Sequence, residues 1–228
     1  YEFNEWGYRT KNIDDLDKDF ALVFGCSYTE GIGLYQKDIW CEKLCKELDI
    51  DIFNLAKGGS SPCISYMNTT LYVKNLIRYK PKLVICQWPQ AFRRTFSHLQ
   101  EKSEKVIMAD EYDLKMVGYN INTEASNMDM SWFKDRWLKE DGEMYKESFF
   151  NFYSTDILWK ALDVPVYHWT WSGDFTNKYD KPFGFIQDNE IRVIKNKSND
   201  KARDNGHDGK QIHSDVVDFL IDDIRKLL

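Results

Sequence analysis

Four short apolar runs, separated by segments of helical periodicity, most constrain what this chain can fold into. The runs cover residues 20–24, 50–55, 83–88 and 164–171. Apolar residues recur at helical spacing within 38–48, 64–79, 147–162 and 214–228. Strands that alternate with helices are typical of parallel sheets joined by crossover helices. The sequence therefore predicts an α/β fold, a three-layer α/β/α sandwich around a central, mostly parallel sheet, with functional residues at the carboxyl ends of the strands.

Length and composition predict one domain. The chain has 228 residues, of which 43% are apolar and 15% aromatic, enough for a single well-buried core over residues 1–228. Between about residues 92 and 144 the pattern gives way to a polar segment with no clear strand. Loops longer than about 15 residues are usually functional covers or disordered, and the aromatic residues of this segment argue against disorder. We expect an insertion or lid over the sheet at 92–144.

Charge and cysteine content exclude several classes of partner. The formal net charge of −6 argues against nucleic-acid binding, which requires a basic face. Five cysteines, an odd number without zinc-type spacing, predict reduced thiols and a cytoplasmic location. No cluster of ligands has zinc-like spacing, so no metal site is expected. No apolar run approaches the roughly 20 residues of a membrane span, so no membrane association is expected. The chain begins at Tyr1 rather than Met, which leaves a removed leader open.

The first apolar run stops at Gly25 and is followed by Cys26 and Ser27. Glycines here could form a phosphate cradle, but the Gly-Lys-Ser/Thr ending of a P-loop is missing and GxGxxG is out of register. The alternative is a nucleophile turn, in which Ser27 faces the cleft and its own backbone N–H binds an oxyanion. Cys26 is a rival nucleophile. However, neighbouring residues at a strand exit point to opposite sides, so a cleft-facing Ser27 directs Cys26 into the packing.

Near the other end of the chain, Asp204 and His207 are three residues apart, so the carboxylate can reach the imidazole of the same short segment. Alone, this spacing also fits a solvated loop. Together with Ser27 it predicts a hydrolase triad, with Ser27 as nucleophile, His207 as general base and Asp204 as the group that orients the imidazole. His213 lies at the start of the last helix and either lines this site or is a surface residue.

These motifs resemble the SGNH (GDSL-like) hydrolase family. The segment 24–31 is similar to the family's first block, with Cys26 where the family usually has Asp, and 204–207 is similar to its last block. The segment 54–59 resembles the second block, whose glycine N–H joins the oxyanion hole, and the spacing favours Gly59 for that role. Residues 3–9 look like the leader of some members. The resemblance implies a flavodoxin-like fold and ester hydrolysis without a cofactor.

The third block departs from the family pattern. The family places an Asn just past the third strand as an oxyanion donor, whereas this chain has Gln87 and Gln90 in that region. Either glutamine could donate an equivalent hydrogen bond, and losing one such donor typically costs about 2.7–4 kcal/mol of transition-state stabilisation. Arg93 and Trp88 are the candidate substrate-binding residues, since a guanidinium holds carboxylates or phosphates and an aromatic face suits a sugar ring or acyl chain.

The sequence thus predicts a serine esterase that removes an O-acetyl or other short acyl group, on a carbohydrate or small metabolite. The sequence leaves two alternatives open. The same triad could transfer the acyl group to another hydroxyl beneath a water-excluding lid. The chain could also be a catalytically silent glycan-binding module that keeps the fold.

Overall fold

The structure, a computed structural model, describes residues 1–17, 19–91, 93–99, 114–119, 141–171, 192–194 and 199–228. Within these ranges the strands are β1 (Phe20–Phe24), β2 (Asp51–Asn54), β3 (Leu83–Trp88), β4 (Arg94–Leu99), β5 (Leu114–Tyr119), β6 (Val166–Thr170) and β7 (Arg192–Val193). The α-helices are α1 (Ser27–Glu30), α2 (Trp40–Glu47), α3 (Pro62–Leu76), α4 (Asp141–Ala161) and α5 (Lys210–Arg225).

A five-stranded sheet forms the centre of the fold. Its order is β2-β1-β3-β6-β7, and every neighbouring pair is parallel. All five residues of β1 are buried, as expected for a strand covered on both faces. The register pairs Val23 with Asn54 on one side and with Ile85 on the other, which brings the carboxyl ends of β1, β2 and β3 together. The predicted α/β architecture and the four predicted strands are confirmed.

Alternate residues of each strand feed two separate cores. Ala21, Val23 and Ile85 face the layer formed by α2 and α5. Leu22 and Val84 face the opposite layer, formed by α3 and α4. This period-two division explains why β1 is apolar at every position, because each face of the sheet meets its own pair of helices. The result is the predicted three-layer sandwich.

The region 92–144 includes two strands that its sequence pattern did not indicate. It contains β4 and β5, which pair as an antiparallel two-stranded sheet with Arg94 opposite Tyr119. Both strands mix polar and apolar residues, so their sequence carries a weak strand signal. Residues 92, 100–113 and 120–140 lie outside the described residues, and a lid at 92–144 stays a prediction.

The five cysteines are free thiols, and all except Cys63 are buried. Burial raises the pKa of the Cys41 and Cys86 thiols. In the described ranges, no helix combines the length and the apolarity needed to cross a membrane.

Candidate active site

The turn that carries Ser27 follows directly on β1. Gly25 leaves the strand, Cys26 has extended backbone, and Ser27 opens the four-residue helix α1. A Cβ atom at Gly25 would lie 2.3 Å from Thr29 Oγ1, closer than real Cβ atoms approach a neighbour, so only glycine fits at this strand exit. Ser27 itself is half-buried. The strand, the glycine and the serine thus have the local geometry that a nucleophile turn requires.

Gln87 supports this turn from beneath. Its Oε1 accepts hydrogen bonds from the Cys26 backbone N–H at 3.2 Å and from the Thr29 hydroxyl at 3.0 Å, and its Nε2 donates to the Trp88 carbonyl at 2.9 Å. The side chain is 0% exposed. This buried network is incompatible with the predicted role of Gln87 as an oxyanion donor, because its amide is committed inside the core. It leaves Gln90 as the amide candidate.

Cys26 belongs to the same buried network. Its Sγ lies 3.3 Å from Gln87 Oε1, and the residue is almost fully buried. The thiol therefore packs against the underside of the turn, as the alternation at the strand exit predicts. Its position does not support the alternative in which Cys26 is the nucleophile.

A second part of the site is the loop of residues 200–209, which holds Asp204 and His207 in contact. Asp204 Oδ2 and His207 Nδ1 are 2.5 Å apart, and Asp204 Oδ1 accepts hydrogen bonds from the backbone N–H groups of Gly206 and His207 at 3.2 and 3.1 Å. The hydrogen bond from the His207 side chain lowers the pKa of the Asp204 carboxyl from its usual value. The contact predicted from the spacing is confirmed. It assigns the proton to Nδ1 and leaves Nε2, which has no hydrogen-bond partner in the described part of the structure, able to accept another.

This loop docks onto the turn that follows α1. The backbone N–H and the Nε of Arg203 donate to the Gly33 carbonyl at 3.3 and 3.0 Å. Gly33 has φ +82°, and a Cβ atom there would lie 2.7 Å from Ala202 Cβ and 2.9 Å from Asp204 Oδ1. A glycine is therefore needed both for the backbone conformation and for the close approach. Through this contact Asp204 and His207, which are near the end of the chain, lie against the turn that follows the helix of Ser27.

The second loop, residues 57–60, lies against the same helix. Ser60 N–H donates to the Lys57 carbonyl at 3.1 Å, and Gly59 has φ +78°, which together define a type II turn with glycine at its third position. Gly58 lies beside the turn of Ser27, since a Cβ atom built on it would lie 3.8 Å from Ser27 Cβ. Its N–H donates to Glu30 Oε2 at 2.5 Å. With the Gly58 amide engaged, the exposed Gly59 keeps its candidate role as oxyanion donor.

Gln90 and Arg93 lie beyond β3. Both are half-buried, and Gln90 Oε1 and Arg93 Nε are buried atoms with no hydrogen-bond partner among the described residues. Arg93 Nη1 makes a long contact of 3.5 Å with the carbonyl of Ser60. The arginine therefore borders the second loop, beside Gly59. The roles predicted for Gln90 and Arg93 stay predictions.

Trp88 does not line a cleft. It is 0% exposed, packs against Phe152 of α4 and donates from Nε1 to His168 Nδ1 at 3.1 Å. The prediction that Trp88 binds substrate is therefore wrong, because the side chain lies on the face of β3 that α3 and α4 cover. His168, in turn, lies 3.1 Å from Asp156 Oδ1, and Asp156 pairs with Lys160 at 2.7 Å. Sequence reasoning missed this buried chain because its members come from three different elements.

His213 is also buried rather than exposed at the surface. Its Nδ1 accepts the backbone N–H of Trp40, the first residue of α2, at 3.0 Å, and its ring stacks on Tyr28 at 4.3 Å. Burial lowers the pKa of His213 to about 3, so the ring is neutral. It caps α2 and packs beneath the residue that follows Ser27.

Arg9 is a buried residue beside the site that sequence reasoning did not single out. Its Nη1 donates to the carbonyls of Glu30 and Gly31 at 3.1 and 2.6 Å, and its Nη2 donates to the Leu34 carbonyl at 2.8 Å. These carbonyls lie at the end of α1 and in the turn onto which the 200–209 loop docks. The available signal was the resemblance of residues 3–9 to a family leader.

No three His, Cys, Asp or Glu side chains among the described residues gather closely enough to hold a metal ion. The sheet order, the layers and the loops at the carboxyl ends of β1, β2 and β3 define an α/β/α sandwich protein with a candidate site at the edge where its strands end.

The fold resembles that of a solved esterase. The chain is similar to the crystal structure of the psychrotrophic esterase EstA from Pseudoalteromonas sp., inhibited by monoethylphosphonate, with a TM-score of 0.52 and 13% sequence identity. The match covers 91% of this chain and 97% of the esterase chain. At this identity the likeness establishes a shared fold. No protein-family model and no curated protein matches the sequence.

Proposed function

We propose that this protein is a serine esterase that removes a short acyl group from a small-molecule or carbohydrate ester. The observation that carries the proposal is the Asp204–His207 pair, 2.5 Å apart in a loop that docks on the turn after the helix of Ser27. The esterase neighbour, which shares the fold over most of both chains, supports the reaction class.

The reaction begins at Ser27. His207 Nε2 takes the hydroxyl proton while Oγ attacks the ester carbonyl, and Asp204 stabilises the imidazolium that forms. Collapse of the tetrahedral intermediate breaks the bond to the alcohol, which leaves with the proton returned by His207. Water, activated by the same imidazole, then attacks the acyl-enzyme and releases the acid. This chemistry requires no cofactor.

The oxyanion of each intermediate is held by the backbone N–H groups of Ser27 and Gly59, with Gln90 as the third donor. Arg93, beside Ser60, provides a cation for a substrate that carries a carboxylate or phosphate near the ester. A short acyl group such as acetate and a sugar-like alcohol are the proposed substrate class.

The test compares hydrolysis of p-nitrophenyl acetate and butyrate by the wild type, Ser27→Ala and the matched control Cys26→Ala. Intact mass is measured after reaction with a fluorophosphonate, since the esterase neighbour is inhibited by a phosphonate. We expect turnover and a single label in the wild type and in Cys26→Ala, and neither in Ser27→Ala. Loss of both in Cys26→Ala with retention in Ser27→Ala would make the thiol the nucleophile.

Silence of a folded wild type towards both esters and the label would overturn the hydrolase proposal. The silent glycan-binding alternative would then be tested by calorimetry with oligosaccharides. Acyl transfer is separated from hydrolysis by adding an acceptor alcohol and measuring the acylated product against free acid.

A further inference from the structure

Glu30 is a nearly buried carboxylate at the end of the helix that Ser27 begins. It is 8% exposed, although acidic side chains are rarely buried without partners. Its Oε2 accepts the Gly58 N–H at 2.5 Å, and its Oε1 lies 3.9 Å from the Lys57 ammonium. Both partners belong to the second loop, so Glu30 joins the helix of the candidate nucleophile to the loop of the candidate oxyanion donor.

The geometry leaves little freedom at this joint. A Cβ atom at Gly58 would lie 3.0 Å from Glu30 Oε2, and Gly59 is held at φ +78° by the turn that Ser60 closes onto the Lys57 carbonyl. Once the Gly58 N–H is fixed, the next amide of a type II turn has a defined direction. Hydrogen bonds to a carboxylate are shorter and stronger than neutral ones, which suits a contact that has to resist movement.

The carboxylate also distinguishes between two neighbouring glycines. The Gly58 amide is engaged by Glu30 and is unavailable to a substrate, whereas Gly59 is exposed and its N–H has no partner among the described residues. The same contact that occupies one donor therefore orients the other.

We propose that Glu30 is a positioning residue for ester hydrolysis, which holds the Gly58–Gly59 turn against α1 so that the Gly59 N–H meets the oxyanion formed at Ser27. The inference rests on the proposed function. Small misplacements of catalytic groups can cost about 10²-fold in rate. Since the oxyanion forms only in the transition state, loss of this contact should slow the reaction more than it weakens substrate binding.

The experiment compares Glu30→Ala, Glu30→Gln and Glu42→Ala with p-nitrophenyl acetate. Glu42 is a half-buried carboxylate in α2 that accepts from Gln36 Nε2 at 2.6 Å, away from the second loop, and serves as the matched control. Glu30→Ala should lower kcat by about 10- to 100-fold and leave KM within about twofold, the pattern of a lost transition-state interaction. Glu30→Gln keeps an oxygen acceptor for the Gly58 N–H and should restore most of kcat, and Glu42→Ala should match the wild type.

Thermal melting confirms that each variant is folded at the assay temperature, and the fluorophosphonate labelling rate of Ser27 should fall in parallel with kcat. A folded Glu30→Ala with wild-type kcat, or a Glu30→Gln as slow as Glu30→Ala, would overturn the positioning role while leaving the esterase proposal intact. If the wild type neither hydrolyses esters nor takes the label, the proposed function and this inference fall together.

Discussion

Two His–Asp pairs in the described part of the chain have opposite environments. His207 and Asp204 have side chains that are 31% and 33% exposed, whereas those of His168 and Asp156 are 4% and 12% exposed. In the buried pair both ring nitrogens are engaged, one by Trp88 and the other by Asp156. In the exposed pair, Nδ1 is the one ring nitrogen that has a hydrogen-bond partner among the residues the structure describes. A histidine acts as a base only if one nitrogen can accept a proton, so the second nitrogen separates a structural pair from a candidate catalytic one.

Protonation behaviour follows the same division. Burial lowers the pKa of His168, although the hydrogen bond that the ring donates to Asp156 acts in the opposite direction. Burial by itself raises the pKa of Asp156, but the hydrogen bonds from His168 and Lys160 outweigh it and the pKa ends below its usual value. The buried pair is therefore a neutral imidazole donating to a carboxylate, and it fastens α4 to β6 and β3.

The largest difference in activity is expected between variants of the two histidines. Replacing His207 by Ala should lower kcat/KM for p-nitrophenyl acetate by at least about 10³-fold, because the proton of Ser27 loses its acceptor. Replacing His168 by Leu should leave kcat/KM near the wild-type value in folded protein. Steady-state kinetics on both variants measures the contrast, and equal losses would show that the pairs do not differ as described.

Asp204 should likewise contribute more to activity than Asp156. Asp204→Asn should reduce kcat by about 10² to 10⁴-fold, since an amide favours the wrong imidazole tautomer. Asp156→Asn retains an oxygen near His168 and is the matched control, with activity close to wild type. A wild-type kcat in Asp204→Asn would remove Asp204 from the triad.

For stability we expect the opposite order, with the buried aspartate contributing more than the exposed one. Asp156→Ala leaves the buried His168 N–H without its partner, which should lower the free energy of unfolding by about 1–3 kcal/mol. Asp204→Ala should change it less, because water can replace the carboxylate at an exposed site. Urea denaturation followed by tryptophan fluorescence provides both values, and a larger loss in Asp204→Ala would contradict the assignment.

Buried neutral imidazoles should make the free energy of unfolding fall at acid pH. The pKa of His213 is lowered to about 3, whereas the pKa of a histidine in an unfolded chain is about 6.5. The unfolded chain thus binds a proton that the folded chain refuses, so this stability is present above about pH 6.5 and is lost as the pH falls towards 3, by up to about 1.4 kcal/mol per pH unit. His213→Phe keeps a ring against Tyr28 and should flatten the slope between pH 6 and 4 in urea unfolding. Parallel curves for the two proteins would count against this origin of acid sensitivity.

Prediction succeeded where the signal was local. Bounds for β1 and β3 match the predicted runs, and the Asp204–His207 contact needed only a spacing of three residues in a turn. The predicted oxyanion role of Gln87 and the predicted substrate-binding role of Trp88 failed. These are the last two residues of β3. Consecutive residues of a strand point to opposite faces, but in a strand buried on both sides neither face meets solvent, so residue type could not show that both are internal.

The sequence by itself determined the order of the four predicted strands and the four predicted helices, the turn at Gly25 and Ser27, and the pairing of Asp204 with His207, because each depends on residues that are neighbours in the chain. Tertiary structure alone decided that the 200–209 loop meets Gly33, that Glu30 holds Gly58, and that His168 is buried against Trp88 and Asp156. These contacts join segments brought together by sheet order and helix packing. Burial and hydrogen-bond partners, which separate a structural histidine from a candidate base, exist only once the chain has folded.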